Sequence, residues 1–78
     1  MSDNMNRFGE KLKKLREQKG LTMKEMADQL DLKAHGYISE LESSKKYPTV
    51  FLVLKVSYLF GISTDVLLKD ELDFEDKP

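Results

Sequence analysis

Residues 21–49 read LTMKEMADQLDLKAHGYISELESSKKYPT, and the pattern in this stretch decides the fold. Two short runs of apolar residues at helical spacing are separated by a few polar residues. Thr22 and Glu25 have the spacing of a capping box, which predicts a helix from about residue 23 to residue 30. A second helix is predicted over residues 33–43, with Ala34, Ile38 and Leu41 on its buried face and Gly36, Ser39, Glu40 and Ser43 facing out.

Three more helices are predicted around this stretch. Apolar residues at helical spacing predict one over residues 7–19, ended by a glycine. The run VFLVLKVSYLF, residues 50–60, is β-branched, but its length and flanking caps favour a helix over a strand. A fifth helix is expected after Ser63 or Thr64, as far as about residue 69. The predicted fold is therefore all-α, a compact bundle of five helices.

The chain has 78 residues, which is enough for one domain with one core. We expect residues 1–6 to form a flexible N-terminal arm, residues 7–69 the folded domain, and residues 70–78 an acidic C-terminal tail that frays. Cysteine is absent, which excludes disulfides and thiolate metal sites. The longest apolar run, VFLVL, is far too short to span a bilayer. A cytoplasmic protein without membrane association is the expectation.

The charges are distributed unevenly along the chain, although the net charge is only −1. Residues 7–49 hold ten Lys or Arg against seven Asp or Glu, whereas residues 50–78 hold three against six. A basic front could meet phosphate while an acidic rear repels it. Charge alone does not separate this interpretation from an ordinary solvated helix surface.

Two short helices joined by a tight turn, the second exposing small and polar residues, form a helix-turn-helix. In that motif the first helix crosses the DNA backbone and the second lies in the major groove. The groove is about 12 Å wide, so short side chains or a glycine let a helix approach the base edges. This accounts for Gly36, which near a helix start would otherwise cost about 1 kcal/mol relative to alanine.

Over roughly residues 7–69, the sequence resembles the lambda-repressor-like helix-turn-helix family, the Xre-type regulators that include phage repressors and Cro proteins. The matching pieces LKKLREQKGLTMKEMADQL, YISELES, KKYPT and LFGISTDVLL occur in the family's order. There are two departures from the family's pattern. The stretch from Leu30 to Ile38 is one residue longer than the commonest pattern, and Ser44 stands where the family usually has a glycine. The second departure suggests a strained or differently closed loop after the third helix.

The resemblance implies a sequence-specific, double-stranded DNA-binding transcriptional regulator from a bacterium or phage, associated with the nucleoid. Within the family such a protein is most often a repressor, acting as a homodimer on a short palindromic operator. The start and exposed face of the third helix would read bases, through Lys33, His35, Gly36, Tyr37 and Glu40. Phosphate contacts would come from the start of the second helix and the loop after the third, at Thr22, Met23, Lys24, Ser43, Lys45, Lys46 and Tyr47. A salt bridge between Arg16 and Glu42 would tie the first helix to the third.

The chemistry of the base-reading residues fits these roles. Lys33 or a protonated His35 can donate to guanine, and Glu40 can accept from cytosine N4. Tyr37 can touch a thymine methyl group or a phosphate, but its position is equally consistent with a half-buried structural residue. Both interpretations of Tyr37 stay open at this point.

The fourth helix is more apolar than a helix with one buried face requires. A two-fold partner could cover the excess, so a homodimer interface is predicted at Phe51, Leu52, Tyr58 and Leu59. A dimer would place two recognition helices about 34 Å apart, the spacing of successive major grooves. It would also raise affinity, since one copy of the domain reads few bases.

Two alternatives belong to other functional classes. The chain could be an antitoxin or adaptor, a protein-interaction module whose fourth helix and acidic tail bind a partner, with DNA binding secondary. DNA binding that weakens steeply with salt would favour the regulator, whereas co-purification with a second protein would favour the module. An enzyme is not expected, because His35, Asp31 and Ser39 have neither oxyanion donors nor a pocket. No metal site, cofactor or small-molecule ligand is predicted either.

Overall fold

The computed structural model describes residues 6–74, and within them the chain forms five helices and no strand. They are α1 (Phe8–Gln18), α2 (Met23–Gln29), α3 (Gly36–Glu42), α4 (Val50–Phe60) and α5 (Thr64–Leu68). The predicted all-α class is confirmed. Residues 1–5 of the predicted arm and residues 75–78 of the predicted tail lie outside the described residues. In the described part of the chain, no helix has the length and apolar character needed to cross a membrane.

Side-chain caps fix the starts of three helices. The Thr22 hydroxyl accepts a hydrogen bond from the Glu25 backbone N–H at 3.0 Å, and the Glu25 carboxylate accepts one from the Thr22 N–H at 2.8 Å. This is the predicted capping box of α2. Thr49 caps α4 and Ser63 caps α5 in the same way, each accepting from the backbone N–H three residues later. The caps explain why the β-branched run of α4 is helical rather than extended.

One hydrophobic core lies between the helices. Its fully buried apolar side chains are Phe8, Leu12, Leu15, Met26, Ala27, Leu30, Ile38, Leu41, Leu52, Val53, Val56 and Leu67. Every helix contributes at least one of them, so no helix is held by its own propensity alone. Helix α1 approaches α3 most closely at Gly9, where a Cβ atom would clash with the Leu41 carbonyl oxygen and lie 2.9 Å from that of Glu42.

Helix α3 begins at Gly36, three residues later than the predicted start at residue 33. The chain leaves α2 through Asp31, whose φ of 59° lies in the left-handed region. The Leu32 N–H then donates to the Ala27 carbonyl at 2.8 Å, which closes the end of α2. Residues 33–35 are used to cross to α3, so Ala34 is exposed rather than on the buried face. The predicted start was wrong because the spacing of apolar residues does not reveal the left-handed conformation of Asp31.

Residues 70–74, the first part of the acidic tail, are docked on the start of the domain, so the prediction of a frayed tail is wrong for these residues. The side chain of Lys11 is buried, with 1% exposure, and its ammonium donates to three carbonyl oxygens. These belong to Val66 at 2.6 Å, Lys69 at 2.8 Å and Leu72 at 2.7 Å. Burial lowers the pKa of Lys11, and a buried ammonium needs acceptors of this kind. Helix α5 supplies the first of them, and the chain after α5 supplies the other two.

Arg7 adds a second attachment for the same segment. Its guanidinium lies 2.6 Å from the Asp73 carboxylate and donates to the Asp70 carbonyl at 2.8 Å, while its backbone N–H donates to the Asp70 carboxylate at 3.0 Å. The hydrogen bond from Arg7 lowers the pKa of the Asp73 carboxyl group. Phe74 packs partly buried against the core. Residues 69–74 are therefore part of the folded domain.

Candidate nucleic-acid interface

The orientation of α3 is set by its two buried residues. Ile38 and Leu41 point into the core, which turns the opposite side of the helix to solvent. Across the turn, the Lys55 ammonium on α4 donates to the Leu30 carbonyl at 3.0 Å and holds the end of α2. The predicted base-reading residues lie together at the start and on the outer side of α3, where Lys33, His35 and Gly36 are exposed and Tyr37 and Glu40 are half-buried.

Gly36 has no structural reason to be glycine within the domain. A Cβ atom there would meet nothing within 4 Å, and its φ is not in the left-handed region. It is also the first residue of α3, on the exposed side. Because no side chain projects from Gly36, a flat or grooved ligand can approach the backbone of α3 closely at this point.

Tyr37 fits the structural interpretation, and its contact with DNA stays a prediction. Its ring is half-buried and packs against the core, as the structural interpretation expects. The Lys46 ammonium also lies 5.9 Å from the ring centroid, a cation–π distance. Tyr37 thus links the outer side of α3 to the loop that follows it.

That loop, residues 43–49, folds back over α3. The Glu40 carbonyl oxygen accepts from the Lys45 N–H at 2.9 Å, the Lys46 N–H at 3.3 Å and the Ser43 hydroxyl at 3.3 Å. Ser44 makes the turn with a φ of 63°, the left-handed conformation for which the family's usual glycine is suited. The loop brings the predicted phosphate contacts Ser43, Lys45, Lys46 and Tyr47 beside the base-reading residues, and all four are exposed.

Arg16 and Glu42 form the expected salt bridge between α1 and α3. The Arg16 Nε lies 2.6 Å from Oε2 of Glu42, and a second nitrogen donates to Oε1 at 3.1 Å. The side chains are only 12% and 4% exposed. Arg16 also donates to the Leu21 carbonyl at 2.8 Å, and its hydrogen bond to the Glu42 carboxylate raises the pKa of the guanidinium. One side chain thus fixes α1, α3 and the approach to α2.

At the start of α2 the predicted phosphate contacts are unequal. The hydroxyl and backbone N–H of Thr22 are both used in the capping box. Lys24 is exposed and lies 3.5 Å from Asp28, while Met23 is half-buried. The N–H groups of Met23 and Lys24 have no partner within the helix, as in the first turn of any α-helix.

Sequence reasoning missed Lys13. A cleft of about 200 Å³ lies between α1, α2 and α3, lined by Lys13, Met23, Ser39, Glu42 and Ser43. Lys13 is exposed and brings a third helix to this surface. Its position three residues before Arg16 was the available signal, because residues three apart share a helix face.

The predicted dimer residues divide between surface and core. Phe51 and Tyr58 are 78% and 86% exposed, and Leu59 is partly buried. Leu52 is 3% exposed and belongs to the domain's own core, so its assignment to a dimer interface was wrong. An all-round apolar helix does not reveal which of its faces is buried. The exposed residues Val50, Phe51, Leu54 and Tyr58, here called the α4 stripe, lie at helical spacing beside a groove of about 290 Å³ between α4 and α5.

Comparison with known proteins identifies relatives along most of the chain. Residues 12–67 match the helix-turn-helix family HTH_3. The chain is 44% identical over 62 residues to YonR, an uncharacterized HTH-type transcriptional regulator derived from the SPbeta prophage of Bacillus subtilis (strain 168). That match covers 80% of this chain and 56% of YonR. The chain spans about half the length of several of the curated relatives it matches.

Two other matches cover more of the related protein. The chain is 38% identical over 71 residues to the control protein C.MunI of Mycoplasma sp, covering 90% of this chain and 95% of that protein. The solved N-terminal DNA-binding domain of SinR from Bacillus subtilis is 27% identical, with a TM-score of 0.70, over 78% of this chain and 88% of that one. These matches confirm the predicted lambda-repressor-like fold with its helix-turn-helix at α2 and α3. The family and these relatives also agree with the prediction that the chain is not an enzyme.

Proposed function

We propose, because the chain belongs to the helix-turn-helix family, that it is a sequence-specific, double-stranded DNA-binding transcriptional regulator. In this proposal it acts in the cytoplasm as a homodimeric repressor on a short palindromic operator. The observation that carries the proposal is the outer side of α3. Gly36, the first residue of α3, is exposed to solvent, and so are Lys33 and His35 in the turn before it. The helix is anchored by Ile38 and Leu41. A rigid helix with a low, polar outer side is what a major groove admits.

The residues around α3 support the phosphate contacts of this proposal. Lys24 on α2, Lys45 and Lys46 in the loop, and Lys13 on α1 are exposed cations that flank the recognition helix. Phosphate contacts fix the position of a protein on DNA without reading sequence. In this proposal the lysines position the protein on the duplex, and the polar side of α3 reads the bases. The net charge of −1 does not oppose binding, because six of the fourteen acidic residues lie after residue 49.

The α4 stripe supports a homodimer. Four large apolar side chains at helical spacing stay uncovered on one protomer, and exposed apolar patches of this kind mark interaction sites. A closed two-fold contact would bury the same patch on both protomers. Two copies would also double the phosphate and base contacts available to one operator.

Repression is the proposed direction of regulation. A dimer on one operator occupies two successive major grooves, about 34 Å apart, and that occupancy excludes polymerase from an overlapping promoter. The direction of regulation is tested with a reporter gene whose promoter overlaps an operator selected from random duplexes. Lower expression in the presence of the protein is expected, and higher expression would assign it as an activator instead.

The experiment for DNA binding is selection from a pool of random duplexes, followed by titration of the selected duplex and a scrambled duplex at two salt concentrations. We expect the selected sequences to contain an inverted repeat, and affinity to fall with salt by about −0.9 in log–log slope per phosphate contact. Lys33→Ala should relax preference at one base position, while Lys45→Ala should weaken both duplexes alike. Absence of salt-dependent duplex binding would overturn the proposal.

The homodimer is tested by analytical ultracentrifugation across a range of protein concentrations. Phe51→Glu and Tyr58→Glu each place a charge in the α4 stripe and should shift the chain to monomer. Gln29→Glu adds the same charge on exposed α2 and should leave the association unchanged. A native chain that is monomeric both free and on DNA would refute the dimer while leaving DNA binding intact.

The alternative, a protein-interaction module, has less structural support. Its acidic tail would have to be free for a partner, but Asp70 and Asp73 are bound by Arg7, and Phe74 packs against the core. The α4 stripe remains compatible with either a second copy or a different protein. Ultracentrifugation of the purified native chain distinguishes these, because only the first gives a self-associating species.

A further inference from the structure

An ion pair on the outer side of α3 joins two residues that have different roles in the proposed complex. The Lys46 ammonium lies 3.4 Å from Oε1 of Glu40 and 5.9 Å from the centroid of the Tyr37 ring. Tyr37 and Glu40 are three residues apart and share one side of α3, so Lys46 reaches both from the loop. In the proposed function Glu40 reads a base and Lys46 binds a phosphate. In the free protein the two side chains bind each other.

The main chain of the loop produces this pairing. The Glu40 carbonyl oxygen accepts from the Lys46 N–H, and the left-handed Ser44 turns the chain back over α3. Lys45 is the neighbouring cation, and its backbone N–H also binds the Glu40 carbonyl. Among residues 6–74, however, only Lys46 of the two makes an ion pair with its side chain. The two lysines therefore form a natural comparison.

Lys46 can leave Glu40 for another anion. Lys46 is exposed and Glu40 is half-buried, so a ligand can approach the ammonium without unfolding the loop. A DNA phosphate attracts Lys46. Once Lys46 moves, the Glu40 carboxylate has lost its cation and faces the base edges inside the field of the phosphates. Whether that state is tolerated depends on the base that Glu40 meets.

We propose that Glu40 and Lys46 are a specificity-determining pair, in which Lys46 transfers to a DNA phosphate efficiently only where the base beneath Glu40 presents an amino group. This inference rests on the proposed function. Cytosine N4 and adenine N6 donate hydrogen bonds in the major groove and replace the lost cation, whereas guanine O6 and thymine O4 are acceptors and repel a carboxylate. The pair thereby makes a sequence-independent phosphate contact conditional on sequence. Its main effect is to weaken binding to non-operator DNA.

A double-mutant cycle tests the coupling. The native chain, Glu40→Gln, Lys46→Ala and the double variant are titrated against the selected and the scrambled duplex at two salt concentrations. Gln keeps the shape of the side chain and removes its charge. On the scrambled duplex, Glu40→Gln should tighten binding about two- to five-fold, the range of exposed ion-pair energies. On the selected duplex it should weaken binding about ten-fold, so the ratio between the duplexes falls.

The distinguishing result is the cost of removing Lys46. On the scrambled duplex, Lys46→Ala should cost about two- to five-fold more affinity in the Glu40→Gln chain than in the native chain, because in the native chain Lys46 must first leave Glu40. Lys45→Ala is the matched control and should cost the same in both chains. Thermal unfolding by circular dichroism verifies that each variant is folded.

Two outcomes would overturn the inference. If Lys46→Ala costs the same in both chains while the native chain binds DNA, the pair is not coupled to binding, although the proposed function stands. If the native chain shows no salt-dependent duplex binding, the proposed function fails, and this inference fails with it.

Discussion

Gly9 on α1 lies against the backbone carbonyl oxygen of Leu41 on α3, so closely that a Cβ atom at Gly9 would clash with it. The contact is between main chains, and neither helix can move away without loosening the Arg16–Glu42 salt bridge that ties the same two helices. The side of α3 that Leu41 anchors is buried, so this contact helps to set how far the opposite side projects into solvent. Gly9, which contacts the buried side of α3, therefore contributes to the position of the proposed recognition surface.

Gly9→Ala should lower the free energy of unfolding by about 1–3 kcal/mol, because the added methyl group forces α1 and α3 apart. Urea denaturation measures this. Gly36→Ala is the matched control, since a Cβ atom there meets nothing within 4 Å, and its stability should stay the same or rise by less than about 1 kcal/mol. Equal stability of the two variants would contradict the close backbone contact.

Gly36→Leu should separate folding from DNA binding. The side chain enters open solvent in the free protein, so the unfolding midpoint should be nearly unchanged. Against DNA the same side chain occupies the space between α3 and the base edges, and affinity for the selected duplex should fall at least about ten-fold. Fluorescence anisotropy measures the affinity. Binding as tight as that of the native chain would show that Gly36 is remote from the duplex.

Glu42→Ala should lower the free energy of unfolding by about 3–5 kcal/mol, because it leaves the largely buried Arg16 guanidinium without its carboxylate. Removing Arg16 should cost a similar amount for the same reason. Asp28→Ala breaks the exposed pair with Lys24 and should change stability by less than about 1 kcal/mol. Comparable losses of unfolding free energy in the Glu42 and Asp28 variants would mean that the buried salt bridge matters no more to stability than the exposed one.

Ser44→Gly should raise the free energy of unfolding by about 0.5–1 kcal/mol. Ser44 has a φ of 63°, a conformation that glycine adopts without steric cost. Chemical denaturation of the native chain and the variant at equal ionic strength gives the difference. A destabilised variant would indicate that the serine side chain supports the loop more than its backbone strains it.

Lys11→Met should destabilise the domain by about 2–4 kcal/mol, because it leaves three carbonyl oxygens without their shared donor. Amide hydrogen exchange should quicken most in residues 69–74, which lose their attachment to α1. Lys13→Met is the control on the same helix, as Lys13 is exposed. Unchanged exchange in that segment would mean that Arg7 alone holds it.

Local signals were sufficient for most helix boundaries. The Thr22–Glu25 box, the Thr49 and Ser63 caps and the glycine at position 61 act within four residues of themselves, so the sequence displays them directly. Helix α4 matches its predicted bounds of 50–60, α1 is shorter than predicted by one residue at each end, and α2 and α5 end one residue early. The Arg16–Glu42 salt bridge, however, was expected only from family resemblance, since the two residues lie 26 positions apart.

The errors arose where the decisive partner is distant or conformational. The sequence did not identify Lys11 as a buried residue, because the carbonyls that bind it lie 55 to 61 residues later. Leu52 could not be assigned to the core because apolar residues occupy most sides of α4. The start of α3 was predicted too early because apolar spacing does not show that Asp31 turns the chain in a left-handed conformation. The coupling of Glu40 to Lys46 likewise depends on a loop path that spacing does not predict.

The attachment of Lys11 has a consequence for biosynthesis. Domains generally fold as units while the ribosome delivers the chain, and α1 emerges before the residues that bind Lys11. Its buried ammonium acquires all three acceptors only after Leu72 has been made. In a nascent chain that stops before this residue, we therefore expect α1 to form but not to pack stably against the rest of the domain. Helix α3 would then reach its final position against α1 only after Leu72 has been translated.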